Sequence, residues 1–273
     1  MRLLLNISIL AVAVYCGLVL LLYLFQRNLL YHPSTKNSKP ADYGISEMSL
    51  VEIITSDGLK LDAWFKEAEE GKKTILYLHG NAGHLGHRSI KVKKYLDAGF
   101  GLLLLGYRGY GGNSGKPSEK KLYIDGRAAL HFLIKYQVPL SKTIIYGESL
   151  GTGVAVEIAR NLQINCLVLE APFSSMTDVA THHFFYLPTR FLLKDHYNSI
   201  GKINEIIAPI FFVHGEMDTV VPWEFGKRLY DAAPQPKELL LIENANHNNL
   251  YEFGASNAII KFIERINKTK SNN

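Results

Sequence analysis

Cysteine is scarce in this chain of 273 residues, and its two cysteines stand where they cannot pair. Cys16 lies inside a long apolar run near the amino terminus, and Cys166 opens the short apolar segment 166–169. A thiol in a membrane-type helix and a thiol in a buried strand cannot form a disulfide framework, and the buried one is expected to pack as a small apolar side chain. The sequence therefore excludes a small disulfide-stapled fold.

Concentrated positive charge and internal repeats are also missing. The net charge is +5, and the basic residues occur as scattered pairs such as Lys72-Lys73 and Lys93-Lys94. Nucleic-acid-binding domains instead gather basic residues in a patch or stripe, so these pairs indicate a solvated surface and no nucleic-acid partner.

Signals for bound metals and nucleotides fail on inspection. His182 and His183 are adjacent, so on a regular element they point in different directions and do not form a zinc site. The glycine-rich stretch 105–116 is followed by Pro117, at the position where a phosphate-binding loop has Ser or Thr. Ser114 replaces the third glycine of the dinucleotide pattern. We expect neither a metal nor a cofactor.

The first residues form the longest apolar run of the chain. Between Leu3 and Phe25 only Asn6 and Ser8 are clearly polar. About twenty apolar residues span a bilayer as a helix. No small-residue cleavage site follows, which favours an uncleaved anchor over a signal peptide. We predict a single transmembrane anchor at residues 1–27.

The remainder divides into a linker at 28–49, one large domain at 50–268 and a polar tail at 269–273. Arg2 precedes the anchor, whereas Arg27, Lys36 and Lys39 follow it. An excess of Lys and Arg marks the cytoplasmic side of a span. This count predicts that the large domain is cytoplasmic.

Strand and helix patterns alternate along the large domain. A hairpin is predicted at 51–55 and 59–65, and short apolar runs typical of buried strands follow at 74–78, 101–105, 143–146, 166–169, 210–213 and 238–242. Helical patterns occur at 89–98, 118–136, 150–162, 224–232 and 249–266. This alternation predicts an α/β fold with a mostly parallel, doubly wound sheet, whose ligands bind at the carboxyl ends of the strands.

The pentapeptide Gly147-Glu148-Ser149-Leu150-Gly151 lies between a predicted strand and a predicted helix. This is the Gly-x-Ser-x-Gly pattern of a nucleophile elbow. A serine hydroxyl is a weak nucleophile unless it is held out from the backbone beside a base, and the sharp turn needs glycines because a Cβ would clash. Ser149 is the predicted nucleophile.

Candidates for the acid and the base follow in the order Ser, Asp or Glu, His that accompanies such an elbow. Asp218 lies in the loop after the strand at 210–213, with Glu216 as a competing acid two residues earlier. His247 lies in the loop after the last strand, whereas His214 ends its strand and is expected to pack in a loop. Asp218 and His247 therefore lie on the same sheet edge as Ser149.

An oxyanion hole is expected from backbone N–H groups next to the nucleophile and in an earlier strand-end loop. The position after Ser149 is Leu150, and the loop after strand 74–78 contains Asn81. We predict that these two N–H groups are the donors and that His79 buttresses the loop.

Five motifs in this order resemble the membrane-anchored branch of the α/β-hydrolases, whose eukaryotic relatives include palmitoyl-protein thioesterases. They are HGNAG, YRGYGGNSGKPSE, GESLG, HGEMDTVVP and NANHNN. The resemblance implies the α/β-hydrolase fold with a short cap, a nucleophile at Ser149, an acid at Asp218, a base at His247, and oxyanion donors at Asn81 and Leu150. One departure is Ala245-Asn246-His247, which lacks the glycine that often precedes the base.

The segment 172–207 is longer than a simple crossover and is expected to form the cap over Ser149. It is rich in aromatic residues: Phe173, Phe184, Phe185, Tyr186 and Phe191. These side chains either line an apolar acyl pocket or only dock the cap on the body. Beside a membrane anchor, an apolar pocket favours a lipid-derived substrate or an acylated protein.

The expected function is a membrane-anchored serine hydrolase that cleaves carboxylic ester or thioester bonds through an acyl-enzyme. Two alternatives remain open at this point. A serine peptidase of the prolyl-oligopeptidase type shares this domain, but the large propeller is missing. A catalytically silent membrane-tethered scaffold conflicts with the complete set of triad residues.

Overall fold

The computed structural model describes residues 1–271. Its helices are α1 (Arg2–Leu30), α2 (Ser89–Asp97), α3 (Glu119–Lys135), α4 (Leu150–Ala159), α5 (Met176–His183), α6 (Thr189–Leu192), α7 (Trp223–Ala232) and α8 (Ala255–Ser271). Its strands are β1 (His32–Pro33), β2 (Ser49–Ile54), β3 (Lys60–Lys66), β4 (Thr74–Leu78), β5 (Ala82–Gly83), β6 (Gly101–Leu105), β7 (Thr143–Glu148), β8 (Cys166–Glu170), β9 (Ile210–Gly215) and β10 (Lys237–Ile242).

Eight strands form one sheet in the order β10-β9-β8-β7-β4-β6-β3-β2. The pairs β2–β3 and β3–β6 are antiparallel, and all other neighbours in this sheet are parallel. The residues of β4, β6 and β8 are all buried, as expected for parallel strands covered by helices on both faces. The predicted α/β class with a mostly parallel sheet is confirmed.

The last helix begins later than the predicted position 249. Gly254 adopts a φ of +84°, a left-handed conformation that interrupts a helix, and α8 starts at the next residue. Asn249 instead uses its side chain to accept a hydrogen bond from the Asn246 N–H at 2.7 Å, which stabilises the loop. Part of the tail predicted at 269–273 is helical to Ser271, and residues 272–273 lie outside the described residues.

Helix α1 is the candidate membrane span. It has 29 residues and none of them is buried. At 1.5 Å per residue it is about 43 Å long, more than the roughly 30 Å of a hydrocarbon core. It continues three residues past the predicted end of the anchor at 27.

The stretch predicted as a linker, 28–49, packs on the body. Tyr31, Ile45 and Met48 are buried, and β1 pairs in parallel with β5 in the loop after β4. The end of α1 is therefore held at a fixed place beside the carboxyl edge of the sheet.

The segment 172–207 carries two short helices, α5 and α6, that the sequence patterns did not assign. Ser175 caps α5 because its hydroxyl accepts the Asp178 N–H at 3.0 Å. Thr181 and Thr189 join the two helices through a 2.7 Å hydrogen bond between their hydroxyls.

Candidate active site

Ser149 lies in the sharp turn between β7 and α4, with φ 51° and ψ −118°. This strained conformation is typical of a nucleophile elbow. A Cβ on Gly151 would lie 2.0 Å from the Leu78 carbonyl oxygen, and a Cβ on Gly147 would lie 2.6 Å from the Thr152 Cα. The elbow therefore packs so closely against β4 and its own helix that both positions require glycine.

The structure brings Ser149, His247 and Asp218 together although they come from three separate loops. The Ser149 Oγ is 3.0 Å from the His247 Nε2, and the His247 Nδ1 is 2.7 Å from the Asp218 Oδ2. With a proton on Nδ1 donated to the carboxylate, Nε2 is free to accept the serine proton. The arrangement can therefore generate a serine nucleophile and stabilise the imidazolium that forms.

Asp218 is buried and held in one orientation. Its Oδ1 accepts the N–H groups of Val220 at 2.9 Å and Val221 at 2.8 Å. Burial raises the pKa of this carboxyl, but hydrogen bonds from His214 and His247 outweigh that effect and hold the pKa well below its ordinary value. Asp218 is consequently ionised at neutral pH.

The other two candidates near this loop have different surroundings. Glu216 is exposed, and its backbone N–H donates to the Ile242 carbonyl at 3.0 Å. His214 is buried, with its Nε2 2.8 Å from the Val221 carbonyl oxygen and 3.3 Å from the Asp218 Oδ2. His214 thus braces the loop that carries Asp218.

The loop after β4 approaches the nucleophile closely. A Cβ on Gly80 would lie 3.4 Å from the Ser149 Cβ. Asn81 and Leu150, the residues expected to supply the oxyanion donors, line the same pocket as Ser149.

Asn81 is fixed by the end of α1 and by the segment that follows it. Its side-chain Nδ2 donates to the Leu30 carbonyl at 2.9 Å, one of the carbonyls that a helix end leaves without a partner. Its own carbonyl accepts the His32 N–H at 2.9 Å and the Tyr110 hydroxyl at 2.8 Å.

His79 has the structural position expected for it. It is fully buried, and its Nδ1 lies 2.7 Å from the Gly80 carbonyl oxygen. Burial and the nearby Arg88 charge lower its pKa to about 3, so the ring is neutral. It stiffens the loop beside the elbow.

A partly buried charge network behind Ser149 was missed by the sequence reasoning. Glu148 accepts hydrogen bonds from Arg88 Nε at 3.1 Å and from Lys91 Nζ at 3.0 Å, and Lys91 also donates to Glu170 at 2.5 Å. Burial raises the pKa of Glu148, but the two cations outweigh it and hold that pKa well below its ordinary value. The sequence signal for this network was the charged residue Glu148 at the first variable position of the Gly-x-Ser-x-Gly pattern.

Arg88 also connects the elbow to the loop after β4. Its Nη1 donates to the Ala82 carbonyl at 2.7 Å while its Nε holds Glu148. One guanidinium therefore fixes the distance between the serine turn and the loop that carries Asn81.

An apolar pocket of about 270 Å³ opens at Ser149. Its walls come from the end of α1, from the cap and from the Asp218 loop. The lining residues are Leu22, Tyr23, Gln26, Leu29, Leu30, Asn81, Ser149, Leu150, Phe173, Met176, Val179, Ala180, His183, Phe184, Leu187, Thr189, Leu192, Leu193, Val220 and Val221.

The aromatic residues of the cap divide into two groups. Phe173 and Phe184 line the pocket. Phe185, Tyr186 and Phe191 are instead exposed, so they neither line the pocket nor dock the cap on the body. Within residues 1–271, no group of three or more His, Cys, Asp or Glu side chains could hold a metal ion.

Comparison with known proteins gives the same fold and a related sequence. A sequence model described as "alpha/beta hydrolase fold" matches residues 73–194. An uncharacterised protein of Mycobacterium tuberculosis (strain ATCC 25618 / H37Rv) is 36% identical over 236 residues, which cover 85% of this chain and 84% of that protein.

Two further relatives carry functional names. The lysophosphatidylserine lipase ABHD12 of Danio rerio is 32% identical over 240 residues, which cover 74% of this chain and 63% of that protein. The solved structure of the Pyrococcus furiosus esterase Pf2001 superposes with a TM-score of 0.71 at 24% identity, covering 86% of this chain and 98% of that one. The likeness to the esterase structure shows the fold, and the lipase relative supports a hydrolase. The alpha/beta hydrolase domain-containing protein 17B of Homo sapiens is 32% identical over 233 residues, which cover 82% of this chain and 76% of that protein, so the chain belongs to the α/β-hydrolase family.

Proposed function

We propose that this protein is a membrane-anchored serine hydrolase that cleaves carboxylic ester or thioester bonds through an acyl-enzyme. One observation carries the proposal. The hydrogen-bonded chain Ser149–His247–Asp218, with distances of 3.0 and 2.7 Å, stands at an apolar pocket of about 270 Å³.

In this proposal the Ser149 Oγ attacks the carbonyl carbon while the His247 Nε2 takes its proton. The N–H groups of Asn81 and Leu150 donate to the oxyanion, and Asp218 stabilises the imidazolium. His247 then gives the proton to the leaving alcohol or thiol, which leaves an acyl group on Ser149. Water repeats the sequence, and the acid is released with the serine restored.

The pocket wall supports an acyl chain as the part of the substrate that is bound. Most of its lining side chains are apolar, and most of these apolar side chains come from α1 and the cap. The lipase name of the zebrafish relative supports a lipid-derived substrate, and an acylated protein presents the same chain. Peptide cleavage is disfavoured because a peptide needs polar partners along its backbone.

Helix α1 supports a single-pass membrane location. Its length and apolar composition suit a span, and the basic residues Arg27, Lys36 and Lys39 after it favour a cytoplasmic catalytic domain. Labelling of Ser114→Cys in intact cells with an impermeant maleimide tests the orientation. Labelling before lysis would place the domain outside.

Labelling with a fluorophosphonate probe in membranes tests the proposed nucleophile. The native chain and Ser114→Ala, which changes an exposed serine, should label equally, whereas Ser149→Ala should not label. A folded native chain that does not react would contradict the proposal and favour the silent scaffold. Hydrolysis of peptides in preference to esters would favour the peptidase.

A further inference from the structure

The cap contacts α1 at successive levels along the helix. Along the chain, each later residue of the cap segment pairs with a later residue of α1 or, in the last pair, with Tyr31 directly after the helix. The pairs are Tyr15 Oη with the Tyr186 carbonyl at 3.0 Å, Gln26 Nε2 with the Leu192 carbonyl at 3.0 Å, Arg27 Nε with Asp195 at 2.8 Å, and the hydroxyls of Tyr31 and Tyr197 at 2.9 Å. The cap segment therefore runs alongside the second half of the anchor.

This alignment sets the depth of the cap relative to a membrane around α1. Gln26 and Arg27 are the first strongly polar residues after the apolar run, so they mark its boundary. Tyr15 stands eleven residues before Gln26, or about 16 Å along the helix axis. That is about half of a 30 Å hydrocarbon core. Tyr186, which is bonded to Tyr15, lies at this depth.

Between that depth and the boundary the cap exposes four aromatic side chains, next in sequence to the exposed polar residues His182, His183 and Arg190. We call Phe184, Phe185, Tyr186 and Phe191 the cap tip. Phe185 is 82% exposed and Phe191 is 89% exposed, unusual values for phenylalanine beside water. At the level of the boundary, Lys194 places its Nζ 4.0 Å from the centre of the Tyr23 ring. Aromatic and basic side chains are typical of membrane interfaces.

Part of the cap-tip backbone is paired within the protein, which favours an apolar surrounding, in which each unpaired polar group is costly. The Phe184 N–H donates to the Ala180 carbonyl at 2.8 Å, and the Leu187 N–H donates to the Phe184 carbonyl at 2.9 Å. The Tyr186 carbonyl accepts the Tyr15 hydroxyl. The turn between α5 and α6 thus finds these partners within the protein.

We infer that the cap tip inserts into the bilayer leaflet that surrounds the end of α1, and that the pocket takes its acyl chain directly from that leaflet. The inference rests on the proposed function and names its substrate class, a membrane-embedded acyl ester or thioester. Leu22 and Leu30 both line the pocket, so it follows the anchor for eight residues, about 12 Å, from the membrane side to Ser149.

Fluorescence quenching of the full chain in phosphatidylcholine vesicles tests the insertion. Phe185→Trp adds a reporter at the cap tip. Ile134→Trp is the matched control, because Ile134 is also exposed and lies in the last turn of α3, which begins beside Asp195 and runs about 25 Å away from it. Lipid with brominated acyl chains should remove most of the emission added by Phe185→Trp and none of that added by Ile134→Trp. Equal quenching of both would overturn the insertion.

Hydrolysis rates test whether the substrate comes from the leaflet. The readout is the rate on a long-chain ester embedded in vesicles divided by the rate on a water-soluble acetyl ester. A charge in hydrocarbon is costly, so Phe185→Asp should lower this ratio about tenfold or more, while Ile134→Asp should leave it unchanged. An unchanged ratio for Phe185→Asp would overturn the inference.

The two proposals fail in distinguishable ways. If Ser149→Ala hydrolyses both esters at the native rate, the proposed function is wrong, whatever the quenching shows. If Ser149→Ala is inactive on both esters but Phe185→Asp leaves the ratio of the two hydrolysis rates unchanged, the proposed function is supported and access from the leaflet is wrong. The acetyl-ester rate also reports that Phe185→Asp and Ile134→Asp are folded, and the melting temperature reports this for Ser149→Ala.

Discussion

Replacing Asp218 by asparagine should reverse the proton position on His247. In the native chain the Asp218 Oδ1 accepts two backbone N–H groups, from Val220 at 2.9 Å and Val221 at 2.8 Å. An amide NH₂ cannot occupy that place because it would face two donors. The asparagine oxygen must therefore take it, and the NH₂ takes the place of Oδ2, which is 2.7 Å from the His247 Nδ1.

His247 would then accept a hydrogen bond at Nδ1 and carry its proton on Nε2. That proton points at the Ser149 Oγ, 3.0 Å away, so the imidazole cannot take the serine proton. The same exchange in serine proteases lowers kcat by about 10⁴. At 1.36 kcal/mol per factor of ten, this is a rise of about 5.4 kcal/mol in the activation free energy.

The assay is kcat on a water-soluble short-chain ester with the full chain in detergent. Glu216→Gln is the control, because Glu216 is exposed two residues away, and its kcat should match the native value. The melting temperature reports that both variants are folded. A folded Asp218→Asn that keeps more than about a tenth of the native kcat would refute the tautomer argument.

Three further changes test the surroundings of the site. The pKa of Glu148 in the folded chain lies below its ordinary value of 4.5. The ionised carboxylate therefore stabilises the fold above pH 4.5, and this stabilisation is lost as the pH falls through the folded pKa. Glu148→Gln should therefore lower the free energy of unfolding at neutral pH by about 3 kcal/mol, and with it the melting temperature. The melting temperature of this variant should also fall less in acid than that of the native chain. Gly151→Ala should abolish folded protein on a solubility assay, since its Cβ would meet the Leu78 carbonyl oxygen at 2.0 Å. Leu29→Trp should fill the pocket and lower kcat/KM for long acyl chains only, whereas Leu24→Trp, on the same helix but outside the pocket lining, should leave it unchanged.

The sheet and the elbow were predictable because their signals are local. Buried parallel strands need short apolar runs, and β4 and β6 have the predicted bounds. The turn at Ser149 requires glycines on both sides, and strand-end loops share one edge of a parallel sheet. These rules place Ser149, Asp218 and His247 at one edge without any knowledge of their contacts.

The charge network behind the elbow could not be predicted in the same way. Glu148 meets Arg88 across 60 positions and Lys91 across 57, and no local period links them. In the sequence, Lys91 looks like any basic residue of an amphipathic helix. Only the packing of α2 against the sheet shows that its Nζ lies between the partly buried Glu148 carboxylate and the buried Glu170 carboxylate.

The role of α1 was hidden for a related reason. Hydropathy predicts that a helix is long and apolar enough to span a bilayer, but it does not show which of its faces contacts the rest of the chain. Arg27 pairs with Asp195 across 168 positions, and the carbonyl at the end of α1 is the partner of Asn81. Helix α1 therefore positions the loop that carries a proposed oxyanion donor, and it forms one wall of the pocket. A helix of equal hydropathy but different sequence would still be a candidate span, but it would lose the Arg27–Asp195 ion pair and the side chains of this pocket wall.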